Sequence, residues 1–144
     1  MTQAQEQTAR IRSANMDAAT AGFHSTENYF RVSPIFRASL EGQPVNLCYT
    51  DGVKYVAETA GAYWLIDVIF SQVVAIYKNQ KIPTERKEFL VCKLAVKDDD
   101  SAVFTITDGD DNQLARQAIE FTDFPAYEFT AWVEGGICLL PSEH

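Results

Sequence analysis

The sequence predicts an α+β fold: one long central helix packed on an antiparallel sheet of about four strands, with short additional helices. Three observations carry this reading. Apolar residues recur at helical spacing from Asp51 onward, the period changes to two after Glu88, and closely spaced turn residues then separate the extended runs. The chain has 144 residues, of which 47% are hydrophobic and 22% charged. A domain of that size buries a core without metals or disulfides.

Residues 1–22 are rich in Ala, Gln, Thr and Ser and offer little apolar surface, which predicts a flexible or helical N-terminal arm. A single α+β domain is expected over residues 23–144, opening on Phe23, Tyr29, Phe30 and Phe36. Ser33 as N-cap and Pro34 in the first turn predict a short helix to Leu40, followed by a turn over 41–44. Asp51 then caps a helix over 52–77, whose core stripe is Val53, Val56, Ala57, Ala60 and Trp64. Gly61 inside it is read as a point where another backbone comes close.

Residues 78–87, basic and containing Pro83, form a loop. Strands are expected over 88–97, with Leu90, Cys92, Leu94 and Val96 on one face, and over 102–107 and 113–121. Asp123 reads as the cap of a short helix ending at Val133 and leaving through Gly135 and Gly136. Residues 137–140 are apolar on both faces, so that strand belongs in the middle of the sheet.

The net charge of −8 is uneven. Residues 1–97 hold eleven Lys/Arg and nine Asp/Glu, whereas residues 98–144 hold one base and eleven acids. A face built from that last third repels nucleic acid and attracts a basic protein surface. No run of apolar residues reaches the ~20 needed to span a bilayer, and no signal peptide is evident at the N-terminus, so cytoplasm is the expected location.

Known catalytic and metal signatures are missing. His24 and His144 are the only histidines, and Cys48, Cys92 and Cys138 lack zinc-ligand spacing; they read as buried reduced thiols. The run from Asp108 to Asn112 starts like a calcium loop, but Gln113 and Ile119 stand where that loop needs Gly and Glu. Asp67 lies among apolar residues, so it must be paired with a tyrosine hydroxyl or Arg31, or exposed in a groove. No cofactor and no metal are expected.

The blocks Thr50-Asp51-Gly52-Val53-Lys54-Tyr55-Val56-Ala57-Glu58 and Gly61-Ala62-Tyr63-Trp64-Leu65-Ile66-Asp67 carry a resemblance, together with Thr122-Asp123-Phe124-Pro125 and Leu139-Leu140-Pro141-Ser142-Glu143. On these the chain is similar, over most of 23–144, to a bacterial family of domains of unknown function. The resemblance supplies no activity and no catalytic residue. It implies a mobile-element setting, and with it a role in interfering with host defence. The run from Ser39 to Tyr49 is longer than the family pattern.

The expected function is that of a non-enzymatic acidic binding protein, an inhibitor of a bacterial defence system acting as a nucleic-acid mimic. Asp98, Asp99, Asp100, Asp108, Asp110 and Asp111 are its candidate binding residues, and a protein with a basic surface is its partner, with no direct nucleic-acid or membrane binding. Two alternatives stand beside it. One is a small-molecule site or enzyme pocket at Asp67, Tyr63 and Trp64; the other is a homo-oligomeric accessory protein using an exposed strand edge.

Overall fold

The computed structural model describes residues 11–15, 28–34, 36 and 47–144. Of the expectations above, those at residues 1–10 and 16–22, Phe23, His24, the helix beyond Phe36 and the turn at 41–44 lie outside the described residues. Within them the fold is α+β: two helices on a mixed sheet of eight strands.

The strands are β1 (Ile11–Ser13), β2 (Tyr29–Arg31), β3 (Cys48–Thr50), β4 (Phe89–Val96), β5 (Ala102–Thr107), β6 (Gln113–Ile119), β7 (Ala126–Glu134) and β8 (Ile137–Leu139). Seven of them lie side by side in the order β2-β3-β8-β7-β4-β5-β6, and β1 also pairs with β7. The expected antiparallel sheet of about four strands is therefore corrected to a mixed one. β4, β5 and β6 form an antiparallel meander, but β3–β8 and β1–β7 are parallel. Parallel neighbours need long crossovers, and here the chain from β3 to β8 contains both helices and the meander. The sequence reading also puts residues 11–13 in a flexible or helical arm, whereas the structure makes them a strand of the sheet.

The expected helix over 52–77 is two helices, α1 (Asp51–Thr59) and α2 (Tyr63–Lys78). Gly61, at φ +61°, breaks them apart. The Gly61 N–H donates to Glu58 C=O at 3.3 Å and the Ala62 N–H to Ala57 C=O at 2.8 Å. That pair of bonds is a Schellman stop, which demands a left-handed residue that only glycine adopts without strain. No other backbone approaches Gly61: a Cβ built there meets nothing within 4 Å among the described residues. The N-cap of α1 is also corrected, from Asp51 to Thr50, whose hydroxyl accepts the Val53 N–H.

Burial follows the expected phase along much of the chain. Val53, Val56 and Ala57 of α1, and Leu65, Ile66, Ile69, Phe70 and Val73 of α2, are buried. Beneath them Leu90, Cys92 and Leu94 pair with Val133, Ala131 and Phe129 on one side, and Cys92 and Leu94 with Ile106 and Phe104 on the other. These eight share one face of the sheet, and all are buried. Burial pushes the thiols of Cys92 and Cys138 well up, so they stay protonated.

The segment expected as a helix from Asp123 to Val133 is instead the long strand β7. Its Phe129, Ala131 and Val133 point inward while Glu128 and Glu134 are exposed. One edge of β7 pairs with β4 from Glu128 to Glu134. The other is shared: β1 takes Ala126 to Glu128, and β8 takes Trp132 to Glu134. The Asn15 side chain fills the gap between them. Its amide donates to Thr130 C=O at 2.7 Å, and its oxygen accepts the Thr130 N–H at 2.8 Å. A side-chain amide thus replaces one residue of missing strand and leaves no orphan peptide group there.

The chain end closes the structure. After β8, Pro141–Glu143 forms a 3₁₀ turn that carries the Glu143 carboxylate to the start of α1. Its Oε1 accepts the Thr50 hydroxyl at 2.7 Å and the Leu140 N–H at 2.9 Å, and its Oε2 accepts the Gly52 N–H at 3.3 Å. Glu143 is only 6% exposed. Gly52 has no room for a side chain, since a Cβ would lie 2.5 Å from Glu143 Oε1.

Replacing Glu143 by Ala strands buried donors that each cost ~1–3 kcal/mol when unpaired, so a loss of roughly 2–4 kcal/mol is expected in urea unfolding. Gly52→Ala displaces the same carboxylate and lowers stability in the same assay. Burial raises the Glu143 carboxyl above its ordinary value, with the nearby Asp51 charge adding to the rise, against the opposing hydrogen bonds from Thr50, Leu140 and Gly52. The folded state therefore holds this proton more tightly than the unfolded one. Stability from protonated Glu143 is complete below the ordinary glutamate range and is lost as pH rises through the raised value. Wild type should accordingly lose stability relative to Glu143→Gln as pH rises above the ordinary glutamate range; a constant or rising relative stability contradicts this account.

Candidate functional site

The acidic last third is not gathered on one side. Successive turns of an antiparallel meander lie at opposite ends of the sheet, so the β4–β5 turn with Asp98, Asp99 and Asp100 stands far from the β5–β6 turn with Asp108, Asp110 and Asp111. The six-residue strand between them separates the turns by ~20 Å. The two triplets meet different surroundings.

At the β5–β6 end, Asp108 works as a turn former. Its Oδ1 accepts the Asp110 N–H at 2.9 Å and the Asn112 N–H at 3.3 Å, and its Oδ2 accepts the Asn112 amide at 3.0 Å. The Arg86 guanidinium is 3.8 Å away, and only 3% of the Asp108 side chain is accessible. The Asp110 N–H above all, with Asn112 and Arg86, holds this carboxyl below the usual range. Asp108 is thus turned away from any partner, while Asp110 and Asp111 remain exposed.

The other end of the sheet carries both an acidic turn and a groove. Asp99 braces its turn, its Oδ1 accepting the Ser101 hydroxyl at 2.6 Å and the Ser101 N–H at 3.0 Å. These two bonds, with Lys97 nearby, lower its pKa. The connection from β6 to β7 lies beside this turn, because the Thr122 N–H donates to Asp100 C=O at 2.8 Å. Thr122, itself buried, accepts the Phe124 N–H at 3.1 Å. Phe124 is fully buried and meets Phe129 edge-on at 6.1 Å between ring centroids.

With Thr122 and Phe124 anchored, the residues between and before them face outward. Phe121 is 71% exposed, and Glu120 and Asp123 are exposed on either side of it. Trp64, in the first turn of α2, completes a groove of about 240 Å³ with Ile119, Phe121, Thr122 and Asp123. Asp98, Asp99 and Asp100 stand at the same end of the sheet. Glu120 and Phe121 fall within the strand expected over 113–121 and Asp123 is read as a helix cap, so none of the three receives a binding role from the sequence. The available signal was an aromatic residue between two acids.

The trio Asp67, Tyr63 and Trp64 does not converge on one pocket. Residues 63 and 67 are one helical turn apart and share a face, while 64 is rotated by ~100° from 63. Trp64 faces the groove. The Tyr63 hydroxyl donates to Glu58 Oε1 at 3.0 Å, and Lys54 is 3.6 Å from the same oxygen. Burial, with the charges of Glu58 and Asp67, pushes the nearby Tyr49 hydroxyl up, so it is a poor base at neutral pH. Asp67 is exposed on the surface of α2. Trp64 is also corrected from core to half-buried rim.

Among the described residues, no group of three or more His, Cys, Asp or Glu side chains is placed to hold a metal ion. Among them too, no helix is long and apolar enough to cross a membrane. Residues 14–144 match the model of a family of unknown function (DUF6876). No curated protein and no solved structure matches the chain.

Substitutions separate groove from core. Phe121→Ser should change stability by no more than ~0.5 kcal/mol, the usual range for exposed positions. Trp64→Ala should cost less than the ~3–5 kcal/mol of a fully buried tryptophan. Thermal melts of both variants check this; a collapse of the Phe121→Ser protein would show that the ring is buried.

Proposed function

The chain belongs to the DUF6876 family, whose function is unknown, and from that premise we propose that it is a non-enzymatic acidic domain that binds a basic protein surface. One observation carries the proposal: an exposed Phe121 beside Trp64 forms an apolar groove at the end of the sheet where Asp98, Asp99, Asp100, Glu120 and Asp123 collect. Lys97 is the one base within residues 97–101 and 119–123.

Such a site takes an apolar side chain in its centre and lysines or arginines at its rim. The apolar contact supplies residence time, and the acids steer the encounter. The same charge repels nucleic acid, so the domain competes with nucleic acid for a basic surface rather than binding it. An inhibitor of a bacterial defence system, acting in the cytoplasm as a nucleic-acid mimic, is the setting this reading favours. Asp110 and Asp111 contribute long-range charge from the opposite end, while Asp108 and Asp99 maintain their turns.

The test uses wild type, Phe121→Ser and the triple variant Asp98→Asn, Glu120→Gln, Asp123→Asn. Each is used to capture partners from a bacterial lysate at 0.1 M and 1 M salt, where the Debye length falls from ~10 Å to ~3 Å. A true partner should be recovered by wild type at low salt, reduced by either variant, and lost at high salt. Association rates with the purified partner should fall in the triple variant more than dissociation rates rise. Equal recovery by all three proteins at both salt concentrations rejects the proposal.

A further inference from the structure

Among the described residues β6 is one edge of the sheet, and apart from a bulge at its start it carries none of the usual protections of an edge. Natural edge strands are kept short or carry prolines, inward charges and covering loops. The opposite edge, β2, follows that pattern with three residues, one of them Arg31. β6 has seven residues, no proline, and Arg116 as its one charge. Its regular run, Ala115 to Ile119, presents a row of peptide groups ~17 Å long, at ~3.4 Å per residue.

Both ends of this row are acidic. Asp110 and Asp111 precede it, and Glu120 and Asp123 follow it, all four exposed. The groove of Trp64, Ile119 and Phe121 opens at its C-terminal end. The β5–β6 turn and the β6–β7 connection are thus the two acidic ends of one strand edge.

We infer that β6 is a docking edge for an extended segment of a partner protein, with Lys or Arg at both ends of that segment and an apolar side chain seated against Trp64 and Phe121. This deepens the binding reading given above and rests on it. The partner strand pairs its backbone with the outer edge of β6, as in other strand-addition complexes, and its basic ends meet the acidic turns. A second copy of this chain is a poor occupant. Antiparallel pairing of two β6 strands sets the Asp110–Asp111 turn of one copy beside Glu120 and Asp123 of the other. Parallel pairing sets each acidic turn beside its equivalent. Either arrangement opposes like charges, which disfavours it.

The probe is a nine-residue peptide of alternating valine and threonine with two lysines at each end. Its control is the same peptide with its five central amides N-methylated, which keeps the charge and removes the backbone donors. By titration calorimetry the plain peptide should bind at low salt, and the methylated one at least tenfold more weakly. The variant Asp110→Asn, Asp111→Asn, Glu120→Gln, Asp123→Asn should bind the plain peptide at least tenfold more weakly, with an unchanged circular dichroism spectrum. In amide hydrogen exchange, peptide should slow β6 amides and leave β2 amides unaffected. Equal binding of the two peptides overturns strand addition while leaving acidic capture of a basic partner intact. Failure of the plain peptide to bind, or protection of β6 in a homodimer without it, also overturns the inference.

Discussion

The buried Glu143 carboxylate holds together parts of the chain that are remote in sequence. It accepts a hydroxyl from Thr50, a peptide N–H from Gly52 and another from Leu140. Gly52 lies in the first turn of α1 and Thr50 is its N-cap, where helix geometry leaves peptide N–H groups without internal partners. One contact therefore sets the start of α1, fixes the end of β3 from which that helix departs, and anchors the turn that follows β8. The central parallel pair β3–β8 is the sheet's version of the same junction. The Thr50-Asp51-Gly52 and Leu140-Pro141-Ser142-Glu143 motifs stand at opposite ends of the domain sequence and meet here. Gly52 is required because its missing side chain is the space the carboxylate occupies.

The same accounting of peptide groups explains β7. A strand in the interior of a sheet must satisfy both edges. β4 covers one edge, while the other needs three contributors: β1, the Asn15 side chain and β8. Residues 11–15 are thereby part of the fold, although the segment they come from offers little apolar surface. Its attachment is through the backbone and an amide, which hydropathy does not register.

Charge is arranged by topology rather than by composition. A meander sends consecutive turns to opposite ends, so an acidic tract in the sequence becomes two acidic ends in space. At one end Arg86 and the turn's own N–H groups engage Asp108. At the other, anchoring of Thr122 and Phe124 leaves Phe121 and Asp123 facing outward beside Trp64. This arrangement offers shape, apolar contact and field, the three features on which the proposed binding role rests.

Several features were legible in the residues themselves. The α+β class, the phase of Val53, Val56 and Ala57, and the inward set Leu90, Cys92, Leu94 and Val96 follow from local periodicity, because each alternation is set by backbone geometry. Turn chemistry placed the meander's bends at Asp98–Asp100 and Asp108–Asn112. Other features required the fold. Ala126, Phe129 and Val133 fit a helical stripe, while Phe129, Ala131 and Val133 fit an alternating strand; the open edge of β4 selects the strand. Gly61 is compatible with a tolerated helix interior or a helix stop, and the packing of α2 against the sheet decides for the stop. Asp67 looked buried by its neighbours in sequence but lies on the outward side of α2. Which acids face a partner, and that Glu143 faces inward, depends on chain segments about ninety residues apart coming into contact. Periodicity is a property of a few consecutive residues, whereas strand pairing, edge exposure and carboxylate burial are decided by neighbours that the local sequence does not contain.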